Sequence, residues 1–247
     1  MSGDKDGGRY SRQLLLREVG REGQERLRRA SALVIGAGGL GSPALLYLAA
    51  AGVGRIGVVD DDVVDVSNLN RQILYETADV GRSKARAAAE RLRRLNPQVD
   101  VEVYERRFAG DDVVELVAGY DVLLDASDNF ETRFLANRAA VAAGRPLVHG
   151  SVRQFEGQAA VFNHAGGPCY QCLFRAPPGG PVEEADRAII GAVAGVIGAI
   201  MAGEALKLLL GVGEPLAGRL LLYDALESSF RILKVEKDPE CPVCGRV

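Results

Sequence analysis

Residues 32–60 read ALVIGAGGLGSPALLYLAAAGVGRIGVVD, and this stretch constrains the fold more than any other. A short apolar run meets a glycine-rich turn, an alanine-rich segment of helical length follows, and a second apolar run ends in an acid. That order specifies a strand, a helix and a parallel strand, because the run of 32–35 is too short for a helix and the glycines forbid its continuation. The rhythm then repeats. Helical patterns at 83–95, 111–118 and 131–143 alternate with apolar runs at 99–103, 121–125 and 146–149, which predicts a Rossmann-like, doubly wound, mostly parallel α/β sheet. After Gly150 the period changes to two. Residues 152–163 and 219–233 read as paired strands, so a smaller C-terminal antiparallel sheet is expected, with a Rossmann-like region over 1–150 and a second region over 151–247.

Within the turn, Gly36, Gly38, Gly39 and Gly41 allow a tight bend and bring backbone N–H groups close to phosphate at a helix start. Asp60 closes the next run, where a carboxylate accepts hydrogen bonds from ribose hydroxyls. This much fits an NAD-dependent oxidoreductase equally well. The segment DDVVDVSNLNRQILY at 61–75 does not, since a dehydrogenase has no use for Asn68, Arg71 and Gln72 beyond its second strand. Arg71, with Lys84 in the G-R-S-K turn, places two cations within reach of a triphosphate.

All four cysteines fall in two pairs of metal-knuckle spacing, Cys169-x-x-Cys172 and Cys241-x-x-Cys244. Four thiolates make a closed tetrahedral Zn²⁺ site of structural type. A thioester step on this chain is then excluded, because no thiol is left to carry it. His149 and His164 are not needed as ligands and read as ordinary polar residues.

The formal net charge of −3 provides no basic field for nucleic acid. Nothing at the N-terminus resembles an export signal, so a cytoplasmic location is expected. Residues 188–203 are wholly apolar but short of the roughly 20 residues a bilayer span requires, and Arg187, Glu204 and Lys207 bound or follow them. They read as a buried core helix or a subunit interface. The Pro- and Gly-rich segment APPGGPVEEAD before them reads as a mobile loop.

Taken together, RYSRQ at 9–13, GAGGLGS, D-x-D-x-V-x-x-S-N-L-x-R-Q over 60–72, G-x-x-K at Lys84, LNP at 95–97, DASDN-x-x-x-R over 125–133, EGQ at 156–158 and both cysteine pairs resemble the MoeB, ThiF and HesA group. These are relatives of the adenylation domains of ubiquitin-activating enzymes, and the resemblance covers nearly the whole chain. It implies ATP-dependent adenylation of the C-terminal glycine of a small ubiquitin-like sulfur-carrier protein ending in Gly-Gly, with release of pyrophosphate. It further implies a nucleotide-binding set of Gly36, Gly38, Gly39, Gly41, Asp60, Asp62, Asn68, Arg71, Gln72, Lys84, Asp128 and Asn129. Asp128 would hold Mg²⁺, and Arg12 would reach the ATP site of a partner subunit in a homodimer, making Arg12, Arg71, Lys84 and Asp128 the catalytic set. The loop at 177–186 lacks the cysteine some members carry, and no rhodanese domain follows, so an external sulfur donor is expected. Competing readings are a dehydratase of tRNA threonylcarbamoyladenosine, a non-catalytic partner subunit, and the NAD enzyme.

Overall fold

The computed structural model describes residues 8–177 and 188–245; the segment 178–187, which holds most of the expected mobile loop, lies outside them. Besides two short 3₁₀ helices, Val66–Asn68 and Thr77–Asp79, the described residues form α-helices and strands. In chain order they are α1 (Ser11–Leu14), α2 (Gly20–Arg29), β1 (Ser31–Ile35), α3 (Gly41–Ala51), β2 (Arg55–Val59), α4 (Lys84–Leu95), β3 (Asp100–Tyr104), α5 (Val113–Ala118), β4 (Val122–Asp125), α6 (Phe130–Ala142), β5 (Leu147–Arg153), β6 (Glu156–Phe162), α7 (Tyr170–Leu173), α8 (Gly191–Leu210), β7 (Arg219–Asp224) and β8 (Ser229–Lys234).

The strands form one sheet in the order β3-β2-β1-β4-β5-β6-β7-β8. From β3 to β5 the pairing is parallel, and from β5 to β8 it is antiparallel. The expected C-terminal antiparallel strands are therefore present, and they extend the parallel sheet through the β5–β6 hairpin. β1 and β4 are buried along their whole length, as their near-continuous apolar runs require for a sheet covered on both faces. Alternation divides the core. Ala32 and Val34 face one layer with α3, α4 and α8, whereas Leu33 and Ile35 face the other with α5, α6 and α7.

Strand order reverses between β1 and β4, because the chain builds outward from β1 to β3 and then returns to build from β4 the other way. The carboxyl ends of these two strands lie side by side, with Ile35 opposite Asp125. In open α/β sheets a crevice at this position takes the ligand.

Helix α8 differs from expectation in its length. It runs 20 residues and is apolar enough by length and composition to cross a membrane, so shortness does not decide its place. Packing does. Half of its most apolar window is buried; Glu204 sits inside it, paired with Lys207 at 2.6 Å and accepting the Leu216 amide at 2.7 Å. It lies against α3, β5 and β6 as a core helix.

Gly198 makes that packing possible, since a Cβ there would meet the Leu40 carbonyl oxygen at 2.4 Å and Pro43 Cγ at 2.4 Å. Both atoms belong to the start of α3. Gly198→Val should cost about 1–3 kcal/mol by overpacking, although removing a helical glycine is otherwise favourable. Calorimetry should show a lower Tm; an unchanged Tm would mean that α8 does not need this close approach.

Candidate nucleotide site and cysteine cluster

The glycine turn crosses the ends of β1 and β4. Gly36 has φ +89°, and a Cβ on it would lie 2.9 Å from the Ala126 carbonyl oxygen, while a Cβ on Gly41 would lie 2.0 Å from the Gly36 carbonyl oxygen. These two glycines are demanded by the bend itself. Gly38 is different: a Cβ there would meet only Gln72 Nε2, at 3.6 Å. It leaves space beside the start of α3, where unpaired amides and the helix dipole favour an anion.

Asp60 fixes this turn from the side. One carboxylate oxygen accepts the Ala37 amide at 2.7 Å and the other accepts the Asp62 amide at 2.9 Å. Burial raises its pKa above the usual carboxylate range, with the two amides and Lys84 pulling the other way. Each oxygen keeps a second lone pair for an incoming hydroxyl. Tyr75, a residue the sequence reading passed over, donates its hydroxyl to the Ala37 carbonyl at 2.8 Å. The Ala37 peptide is thus held at both ends.

Arg71 and Gln72 stand beside the turn, with Arg71 Cγ 3.5 Å from a Cβ built on Gly39. The Asp65 side chain accepts the Ser67 amide at 2.8 Å and caps the short 3₁₀ turn Val66–Asn68, and Asn68 Oδ1 accepts the Asp65 amide at 3.3 Å. Arg71 donates to the Ser67 carbonyl at 3.0 Å and to Asn70 Oδ1 at 3.1 Å, and it has no carboxylate partner among the described residues. Lys84 departs from the simple expectation of a cation facing phosphate. It is buried, and its ammonium donates to Asp62 Oδ2 at 2.8 Å, because the Asp62 carbonyl also receives the Lys84 amide at 3.0 Å and holds the two residues together.

Arg12 is not brought into this cluster. It is exposed on α1, and α1 is tied to the far end of α3 by Gln13, which donates to the Ala51 carbonyl at 3.1 Å. The 11 residues of α3 put that end about 15 Å from the glycine turn.

Opposite the turn, Asp128 is exposed between two fixed neighbours. Asn129 caps α6 by accepting the Thr132 amide at 2.9 Å, and its Nδ2 lies 3.5 Å from Asp128 Oδ1. Ser127 donates through its amide at 3.1 Å and its hydroxyl at 2.5 Å to Asp125 Oδ1. Below it, His149 corrects the sequence reading of an ordinary polar residue: it is 0% exposed, and its Nδ1 lies 2.9 Å from Asp125 Oδ2. The two residues are register partners on β4 and β5, a relation that emerges only once strand adjacency is known. Burial drives the imidazole below its usual value against the pull of Asp125, so it is neutral at pH 7. Burial opposes ionisation of Asp125 as well, but the His149 hydrogen bond, the Arg133 charge and Ser127 hold its carboxyl below the usual range. His164 is half-buried and takes no part in this cluster.

The four cysteines converge. All are free thiols, and their sulfurs lie within 4.8 Å of one another, with Cys169–Cys241 at 3.6 Å, Cys172–Cys244 at 3.4 Å and Cys169–Cys172 at 4.0 Å. A tetrahedron of thiolates around a metal at 2.3 Å has edges of about 3.8 Å, so the cluster fits a four-sulfur metal site. Burial works against the Cys241 thiolate, yet the Cys244 and Val243 amides and the Cys169 thiol bring it down to about 7. Arg175 pairs with Asp238 at 2.8 Å and joins the two knuckles a second time.

Residues 10–243 match the ThiF family. The chain belongs to the ThiF family. Over 244 residues it is 57% identical to a sulfur carrier protein adenylyltransferase of Thermus thermophilus, covering 96% of this chain and 90% of that one. It is 53% identical over 243 residues to the adenylyltransferase and sulfurtransferase MOCS3 of Mus musculus, spanning 96% of this chain and about half, 52%, of the mouse protein. The ThiF-family fold is also that of Escherichia coli MccB solved with ATP, at a TM-score of 0.84 and 24% identity over 98% of this chain and 76% of that one.

Proposed function

We propose that this ThiF-family chain adenylates the C-terminal glycine carboxylate of a small ubiquitin-like sulfur-carrier protein, releasing pyrophosphate. The observation that carries the reading is the crevice at the ends of β1 and β4, where the open glycine turn, Asp60, Arg71 and the exposed Asp128 converge from separate elements. The relatedness to a named sulfur carrier protein adenylyltransferase over nearly the full length of both proteins supports the choice of substrate.

In this reading Asp60 takes the ribose hydroxyls, and the amides around Gly38 and Gly39 lie along the phosphates. Arg71, Asn68 and Lys84 face the β- and γ-phosphates, with Gln72 behind them; Lys84 reaches phosphate by exchanging its pair with Asp62 for another anion. Asp128, flanked by Asn129, presents the hard oxygen donor that Mg²⁺ prefers alongside phosphate oxygens. When bound, Mg²⁺ neutralises charge on the departing pyrophosphate. A carboxylate oxygen of the carrier attacks the α-phosphorus, the bond to the β-phosphate oxygen breaks, and no base is needed because the attacking group is already ionised at neutral pH. Arg12 serves a partner subunit's site, which its distance from its own glycine turn supports. Region 151–247 receives the carrier, the four cysteines hold a structural Zn²⁺, and sulfur arrives from an external donor.

Mixing the protein with Mg-ATP and carriers ending in Gly-Gly, followed by intact mass measurement, tests this. A carrier gaining the mass of AMP minus water is expected. So is the absence of any carrier–enzyme adduct that reductant removes, since zinc-bound thiolates are poor nucleophiles. No adenylate with any such carrier would sink the reading; a reducible adduct would sink the assignment of all four cysteines to metal.

A further inference from the structure

We propose that the buried Asp125–His149 pair, braced by Ser127 and Arg133, is a positioning unit that aims Asp128 at a nucleotide-bound divalent cation. The inference rests on the reading of Asp128 as a metal ligand. Only four residues, 126–129, join β4 to α6, and three of them are fixed from below. The Ala126 amide donates to the Ile35 carbonyl at 2.9 Å, and its own carbonyl abuts Gly36. Ser127 is bound to Asp125 through both its amide and its hydroxyl, and its carbonyl accepts Arg133 Nη2 at 3.3 Å. Asn129 is occupied as the α6 cap. Asp128 and Asn129 are both exposed, but Asn129 is held as the cap, which leaves Asp128 as the exposed side chain with only a 3.5 Å contact from Asn129 among the described residues, on a loop whose geometry is set by the orientation of the Asp125 carboxylate.

That orientation depends on His149. Its Nδ1–H donates to the Asp125 oxygen that Ser127 does not use, and its ring is locked edge-on against Tyr170 at 4.9 Å between centroids and packed on Phe162 at 6.2 Å. Neither residue of the pair touches a reactant: Asp125 is 1% exposed and His149 0%. An ionised carboxylate placed so deep is costly unless fully bonded. A turn could be closed by a neutral side chain at less cost. What the ionised, doubly held carboxylate adds is a rigid base directly beneath the metal-facing residue, in the way outer-sphere partners orient ligands at metal sites.

The test uses native, zinc-replete protein with α,β-methylene-ATP and Mn²⁺, whose binding is followed by electron paramagnetic resonance without turnover. His149→Phe keeps a ring against Tyr170 and removes the donor; it should weaken Mn²⁺ binding about 10- to 100-fold while zinc content and cooperative melting persist. His149→Asn, whose Nδ2 occupies the place of Nδ1, should bind close to wild type. Ser127→Ala, which removes one buried hydroxyl and keeps the amide bond to Asp125, should weaken binding in the same direction. Asp128→Ala serves as the reference and should lose the site. If Asp128→Ala loses Mn²⁺ while folded His149→Phe and Ser127→Ala bind it normally, the positioning role is overturned and the ligand assignment stands. If Asp128→Ala binds normally, the ligand assignment itself fails. If His149→Phe does not fold, Ser127→Ala decides alone, and normal affinity there overturns the proposal. A folded His149→Asn as weak as His149→Phe would also overturn it, since packing rather than the donor would then matter.

Discussion

Stripping the metal with a chelator, or replacing Cys169 and Cys172 together by serine, is expected to lower Tm by roughly 10–20 °C, the largest stability loss of any change considered for this chain. The reason is where the cluster lies. Cys169 caps the short helix α7, Cys241 and Cys244 sit in the tail beyond the edge strand β8, and among the described residues only Val141 and Val243 pack with them as apolar neighbours. Without metal, four thiols converge with little else to hold the tail, and Arg175–Asp238 is an exposed pair worth at most about 1 kcal/mol. Zinc bound by four thiolates supplies many times that. Calorimetry before and after chelation, with elemental analysis of the native protein, measures the effect. A native protein free of zinc, or a Tm unmoved by the double substitution, would remove the metal from this account.

Asp128→Ala is expected to reduce carrier-dependent ATP–pyrophosphate exchange by on the order of 10³-fold, because on the proposed assignment it removes a metal ligand where charge builds up in the transition state. The fold should not register the change. Asp128 is exposed, and among the described residues its side chain makes only the 3.5 Å contact from Asn129, so Tm should stay near wild type. Near-normal exchange would rule out the assigned role. The same variant probes the subunit arrangement when mixed with Arg12→Ala. If Arg12 acts across a dimer interface, mixed dimers contain one intact site and recover part of the activity that both parents lack. Subunits that exchange without recovery would place Arg12 outside the partner's site.

Much of this site was legible because its chemistry is written in short, local patterns. The bend at Gly36 and Gly41 needs residues without Cβ, and a knuckle needs two cysteines three apart, so both declare themselves in the sequence. Relations between distant segments did not. The merging of parallel and antiparallel strands depends on the pairing of β5 with β6, for which alternation gives strand character and no partner. The length of α8 was underestimated because Glu204 and Lys207 look like a boundary, whereas in the fold they satisfy each other and the Leu216 amide. Lys84 read as a free cation since nothing in the sequence brings Asp62 to it. His149 was read as incidental because its partner lies one strand away and 24 residues earlier.

The two cysteine knuckles are separated by 72 residues, from Cys169 to Cys241 and from Cys172 to Cys244. Translation proceeds at about 5–20 residues per second, so the first knuckle leaves the ribosome roughly 4–14 s before the second. During that interval the nascent chain carries the complete β1–β4 crevice and an unmatched pair of thiols. Oxidants and foreign metals meet Cys169 and Cys172 before their proper partners exist. If the four thiols hold Zn²⁺ as proposed, the vulnerable moment for this protein is its own synthesis, and metal starvation should be felt first by newly made chains, with molecules already closed around an ion spared.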